Sequence, residues 1–248
     1  MGYNRRNVCF MNKIKLLILT LSVLCVLMFS AVVFIGGFKT SFFKRQFAKL
    51  GWIQLDAMDS PDYWCIKGWN NTLSKLNCDV DVAFYGNSIT AGSAFQDYFP
   101  DISICNLGYP GDNLDGLRFR AYTIASVKPE KVFLMGGING LRQMPIDVFV
   151  KKYEQLILEI QKNVPSAQLY LQSILPVTPS TTYASNEKIR KCNKLIDSLA
   201  RAHQCQYIDL FSLYEKDGIM NEEYTRDGVH LKSEHYDKWA NAIRPYLE

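Results

Sequence analysis

The chain has 248 residues, 48% of them apolar, enough for one catalytic domain with an appendage and a core of its own. Its net charge of +4 hides a split: residues 1–49 carry eight of the 28 Lys and Arg and no acid, which leaves 20 bases against 24 acids in the rest. A mildly acidic globular part speaks against a nucleic-acid footprint.

The basic residues bracket an apolar stretch. Residues 1–15 form a basic N-terminal segment with Arg5, Arg6, Lys13 and Lys15, and residues 16–38 are an uncharged run. As a helix that run would extend about 34 Å, against a hydrocarbon core of about 30 Å. Residues 39–51 follow as a linker carrying Lys39, Lys44, Arg45 and Lys49, so charge does not set the orientation. The run exceeds the usual signal-peptide core and shows no small-x-small cleavage site, and Leu24 before Cys25 argues against a lipoprotein site. The expectation is an uncleaved transmembrane signal anchor, with a cleaved signal peptide as the alternative. Either places residues 52–248 outside the cytoplasm, periplasmic or extracellular, membrane-bound in the first case and secreted in the second.

Residues 52–77 read as a lead-in containing a helix, with Trp64, Trp69, Leu73 and Leu76 as apolar markers for packing. Then short apolar runs alternate with helical patterns. Residues 80–85, 102–106, 131–135, 168–173 and 206–210 read as five strands. A short helix is expected from Ser88, and longer ones over 114–126, 146–163, 186–203 and 233–247. In 146–163 the apolar positions Phe149, Tyr153, Leu156, Ile157 and Ile160 recur at helical spacing. This alternation implies an α/β fold with a parallel sheet covered on both faces, where ligands bind beyond the carboxyl ends of the strands.

Four blocks fall on that edge: Gly86-Asn87-Ser88-Ile89-Thr90, Gly108-Tyr109-Pro110-Gly111-Asp112-Asn113, Gly136-Gly137-Ile138-Asn139 and Asp227-Gly228-Val229-His230. Ser88 follows a glycine that permits a sharp turn, and a helix starting there would favour a developing anion; alone, the serine would serve equally as a helix cap. His230 is placed to take and return a proton, and Asp227 to orient its ring. Gly111 and Asn139 offer a backbone N–H and a side-chain amide for an oxyanion, with the Ser88 N–H as a third donor. Taken singly, Gly111 reads as a turn glycine and Asn139 as a loop asparagine. Of the other histidines, His203 is expected at the surface or capping a helix, and His235 on the solvated face of the closing helix.

Tyr109, Arg142 and Arg226 lie beside the blocks as candidate substrate-binding residues, with Gln143 and Tyr183 near them; for the arginines, surface ion pairing is the plainer reading. The chain lacks the Gly-Lys-Ser/Thr ending of a phosphate loop, and three dispersed histidines give no metal-ligand spacing, so no cofactor and no metal are expected. Among the seven cysteines, Cys65 with Cys78 and Cys192 with Cys205 are possible pairs, though small buried apolar side chains explain most of them.

The four blocks, in this order, resemble the SGNH or GDSL-type hydrolases over about residues 80–248. The resemblance implies a flavodoxin-like three-layer sandwich with a five-stranded parallel sheet and a serine esterase acting through an acyl-serine intermediate. In that scheme Ser88, Asp227 and His230 are catalytic, and Ser88, Gly111 and Asn139 form the oxyanion hole. Two positions depart from the pattern: Asn87 stands where the family usually has Asp, and Gly140 where Asp usually follows the asparagine. The expected substrate is a small acyl group, acetyl, on a carbohydrate. An envelope-glycan O-acyltransferase using the same site and a non-catalytic glycan-binding protein are the alternatives.

Overall fold

The computed structural model describes residues 79–247 and, ahead of them, Lys15, residues 18–28, Ser30 and Thr72. The contact pattern divides the chain into Met1–Leu55 and Asp56–Glu248. In the first unit residues 18–28 are helical, with Ile18, Leu19, Leu21 and Val26 exposed. Among the described residues no helix is long and apolar enough to cross a membrane. The rest of the expected anchor, the linker, the lead-in tryptophans, Cys65 and Cys78 lie outside the described residues.

The second unit is the expected α/β sandwich. Strands β1 (Val82–Gly86), β2 (Ile104–Gly108), β3 (Lys131–Met135), β4 (Gln168–Gln172) and β5 (Gln206–Ile208) form one parallel sheet in the order β2-β1-β3-β4-β5. Helices α1 (Ser88–Ala91) and α2 (Phe95–Tyr98) join β1 to β2, and α3 (Leu114–Arg120) runs on into a 3-10 turn over Ala121–Ser126. Helices α4 (Ile146–Asn163) and α5 (Asn186–Ala202) make the next two crossovers. After β5 come α6 (Phe211–Tyr214), a hairpin of β6 (Glu215–Lys216) and β7 (Ile219–Met220), and the closing α7 (Tyr236–Ile243) between two 3-10 turns.

Side-chain alternation assigns the two faces. Phe84, Phe133 and Tyr170 share one register row and stack across the sheet, with ring centroids 5.1 and 4.5 Å apart. On that face Phe95 of α2 stacks on Phe84, and Trp239 of α7 donates its indole N–H to Gln172 at 2.6 Å. Residues of the opposite parity meet α3, where Tyr85 donates to the Leu117 carbonyl. Helix α4 buries the five apolar positions its spacing marks, each contributing about 1.5–3 kcal/mol. Ser185 caps α5, and the buried Asn193 of α5 both accepts from Ile174 N–H and donates to Ile174 C=O at 2.9 Å, fastening the helix beyond the end of β4.

Several expectations are corrected. The strands are shorter or shifted at their ends, and α2, α6 and the β6–β7 hairpin carry too few residues for periodicity to register. Cys192 and Cys205 are free thiols, not a disulfide; burial pushes both up to about 11, so they remain protonated at neutral pH. His203 does cap α5, but it is largely buried and lies 3.0 Å from Glu154. His235 precedes α7 in the 3-10 turn and is half-buried, with its ring 4.8 Å from that of Tyr224.

Candidate active site

The end of β1 passes almost directly into α1. Asn87 is 1% exposed, and its side-chain oxygen accepts the Ile89 N–H at 3.0 Å, which starts the helix and leaves Ser88 in its first turn. An aspartate there would accept the same bond, so the change to Asn keeps the cap while dropping a buried charge. Gly86 must lack a side chain, because a Cβ would run into Thr90 and the Met135 carbonyl. This close approach seats α1 on the strand ends.

Ser88 Oγ lies 2.8 Å from His230 Nε2, and His230 Nδ1 lies 2.7 Å from Asp227 Oδ2. With the Nδ1 proton given to Asp227, Nε2 presents its lone pair to the Ser88 hydroxyl. The other carboxylate oxygen of Asp227 accepts the backbone N–H of His230 at 2.8 Å and of Val229 at 3.1 Å. Burial pushes the Asp227 carboxyl up, but these bonds and the imidazole outweigh it, and the net shift is below the usual carboxylate range. Thr225 closes the turn beneath them: its hydroxyl donates to the His230 carbonyl at 2.8 Å and accepts the Gly228 N–H at 2.9 Å. Gly228 has φ +88°, and Thr178 and Thr181 occupy the space its side chain would need.

Two of the oxyanion candidates, Gly111 and Asn139, are linked through the loop after β2. Gly111 adopts φ +83° with open space around it, so the glycine is required by backbone conformation and not by crowding. Among the described residues, neither the Ser88 nor the Gly111 N–H has an acceptor. Asn139 donates one amide hydrogen to the Asp112 carbonyl at 2.7 Å, which leaves its second free. Gly140 has φ +80° and forms the turn after Asn139; the loop is braced by buried Leu141, whose N–H donates to Ile138 C=O, and by the Asn139–Asp112 bond.

Asp112 lies in the second block without a role of its own there, and Arg120 lies outside all four blocks. Arg120 is 2% exposed and paired with the fully buried Asp112 carboxylate. The same guanidinium donates to Leu107 C=O and Gly86 C=O, each at 2.8 Å, and lies over the Tyr85 ring. One cation thus ties the ends of β1 and β2 to the loop bearing Gly111. The available signal was an arginine within the apolar stripe Leu114, Leu117, Ala121, Ile124, which demands a buried acid nearby.

The substrate-binding candidates divide. Tyr109 is only 2% exposed, packed inside the fold with its N–H donating to Gly86 C=O, and so does not line an open surface. Arg226 is exposed, its Nε 3.8 Å from Asp227 Oδ2, in keeping with the ion-pair reading. Arg142 lines a cleft and donates to Thr182 C=O at 3.0 Å.

Fold and site together define an enzyme of the ester-hydrolase class. Residues 84–238 match the GDSL-like lipase/acylhydrolase family, and the chain belongs to it. No match was found among curated proteins. Among solved structures, the chain is similar to a provisionally named platelet activating factor from Streptococcus pneumonia, at 25% identity and TM-score 0.65, covering 75% of this chain and 96% of that one. A GDSL-like lipase from Bacteroides thetaiotaomicron aligns at 22% identity and TM-score 0.63, over 75% and 96%. An acetyl xylan esterase aligns at 22% identity and TM-score 0.56, over 67% and 99%.

Proposed function

We propose that this esterase removes an acetyl group from a carbohydrate through an acyl-serine intermediate. The observation that carries the mechanism is the unbroken Ser88–His230–Asp227 hydrogen-bond relay. Ser88 Oγ attacks the ester carbonyl while His230 Nε2 takes its proton. The tetrahedral oxyanion is met by the N–H groups of Ser88 and Gly111 and by the free amide hydrogen of Asn139. His230 then passes the proton to the departing alcohol oxygen. A water gives its proton to His230 as it attacks the acyl-serine, and the proton returns to Ser88 as acetate leaves.

The acetyl–carbohydrate reading is supported by the likeness to an acetyl xylan esterase and by the hydroxyl-rich, charged lining of the neighbouring cleft, which suits a sugar better than an acyl chain. Membrane anchorage through residues 16–38, with the catalytic domain extracytoplasmic, is part of the same proposal; it is supported by the uncharged run and by the exposed apolar side chains of its helical part.

The test is hydrolysis of p-nitrophenyl acetate and of acetylated xylo-oligosaccharides by the full-length protein beside Ser88→Ala. Both activities should vanish in the variant. Acetyl release only in the presence of an acceptor glycan would make the protein an acyltransferase, and turnover surviving in Ser88→Ala would remove the serine from the mechanism.

A further inference from the structure

A cleft of about 740 Å³ lies between the loop after β3 and the loop after β4, with the β6–β7 turn closing it. Its walls adjoin two of the four blocks, one along the chain and one by contact. Arg142 follows Asn139 by three residues on the β3 loop. On the other side Thr178 donates its N–H to the Gly228 carbonyl at 2.9 Å, and Thr178 and Thr181 fill the space above Gly228, in the turn carrying Asp227 and His230. The cleft therefore borders the turn that carries His230 and the loop that carries Asn139.

The lining selects the chemistry. Thr178, Thr181 and Ser185 bring hydroxyls, and Tyr183 brings a ring that can lie against a sugar face. Arg142 and Lys188 both line the cleft, with Lys188 Nζ donating to the Arg142 carbonyl at 3.1 Å and the Arg142 guanidinium to the Thr182 carbonyl at 3.0 Å. Among the described residues neither has a carboxylate partner within ion-pair distance. Arg190 and Asp217 also line the cleft, but Arg190 is held by the Gly218 carbonyl and faces Glu215 at 3.7 Å, so the Asp217 end carries no excess of positive charge.

We propose that this cleft holds the alcohol half of the ester and that this alcohol is an acidic glycan, its carboxylate received by Arg142 and Lys188. The proposal rests on the esterase reading above and adds the charge of the substrate. A guanidinium and an ammonium lining one cleft can each give a carboxylate a charge-assisted hydrogen bond, which a neutral sugar cannot match.

The experiment compares kcat/KM of the full-length protein on acetylated oligogalacturonides and on acetylated xylo-oligosaccharides of equal length, with p-nitrophenyl acetate as the ester that has no sugar to place. The acidic glycan is expected to be preferred roughly tenfold, with the difference in KM. In Arg142→Gln/Lys188→Gln the acidic-to-neutral ratio should collapse toward one, and Lys188→Arg in place of Lys188→Gln should restore much of it. Equal turnover of both glycans, an unchanged ratio in the double variant, or turnover of p-nitrophenyl acetate with neither glycan accepted would each overturn the proposal. Failure of the esterase reading shows separately, as p-nitrophenyl acetate turnover that survives Ser88→Ala.

Discussion

The side-chain amide of Asn139 donates to the backbone carbonyl of Asp112 at 2.7 Å, so the asparagine proposed to meet the oxyanion also holds the loop that carries Gly111. Two proposed donors from different strand ends are thereby one mechanical unit. Asn139→Ala should remove a donor and release the Gly111 loop together. Turnover is expected to fall roughly 100- to 1000-fold, with KM changing far less. Steady-state kinetics on p-nitrophenyl acetate decide it, and a loss confined to KM would take Asn139 out of the oxyanion role.

Arg120 offers a test of stability rather than chemistry. Its guanidinium serves Asp112, Leu107 C=O and Gly86 C=O in a site with no access to water. Arg120→Met leaves a buried carboxylate and two carbonyls without that partner and should cost about 3–5 kcal/mol of unfolding free energy. Arg120→Lys keeps the charge but not the planar fork, and should fall between. Urea unfolding that placed the Met variant within 1 kcal/mol of the parent, on the order of an exposed ion pair, would show the clamp to be dispensable.

Asp227 links the site to pH. Its carboxyl is held below the ordinary range in the folded chain, so its contribution to stability is complete above the unfolded carboxylate value and is lost as pH falls through the lowered folded value. The stability difference between the parent and Asp227→Asn should therefore narrow on acidification from about pH 5 to about pH 2. Thermal unfolding across that interval measures it, and a constant difference would contradict the shift. The same variant should lose roughly 10,000-fold in kcat, because an amide facing Nδ1 favours the wrong tautomer.

Two glycines with the same sign of φ should respond differently to alanine. Gly111 has open space around it, so Gly111→Ala bears only backbone strain, about 1 kcal/mol, and its main effect should be a slower reaction as the N–H turns away. Gly228→Ala adds a collision with Thr178 and Thr181 and should both unfold more easily and separate His230 from Ser88. Equal losses of stability in the two variants would mean that the packing of Thr178 over the turn is unimportant.

The parallel sheet was legible because the central strands β1, β3 and β4 carry short buried apolar runs between helical patterns, and α4 because Phe149 to Ile160 keep strict helical spacing. The four blocks were legible because each is local: Ser88 follows its own strand, and Asp227 reaches His230 within one turn. What the sequence left dark is relational. Tyr109 sits within one of the four blocks yet is buried, which sequence position cannot distinguish from facing a cleft. The Arg120–Asp112 pair belongs to no motif, and its meaning appears only when two strand ends and a loop converge on one guanidinium. His235 was misplaced because a 3-10 turn precedes α7, and three residues are too few to carry a period.

The proposed base and the carboxylate that orients it share one six-residue turn, while the proposed nucleophile stands 142 residues earlier than the base. What joins them is long-range: Thr178 N–H on Gly228 C=O, and the Tyr236 hydroxyl on the Ile89 carbonyl at 2.7 Å, beside Ser88. During synthesis, then, the serine emerges first and waits as an ordinary alcohol. On the proposed mechanism it gains its reactivity only when the last segment docks, so the growing chain cannot attack esters around it before the domain is whole.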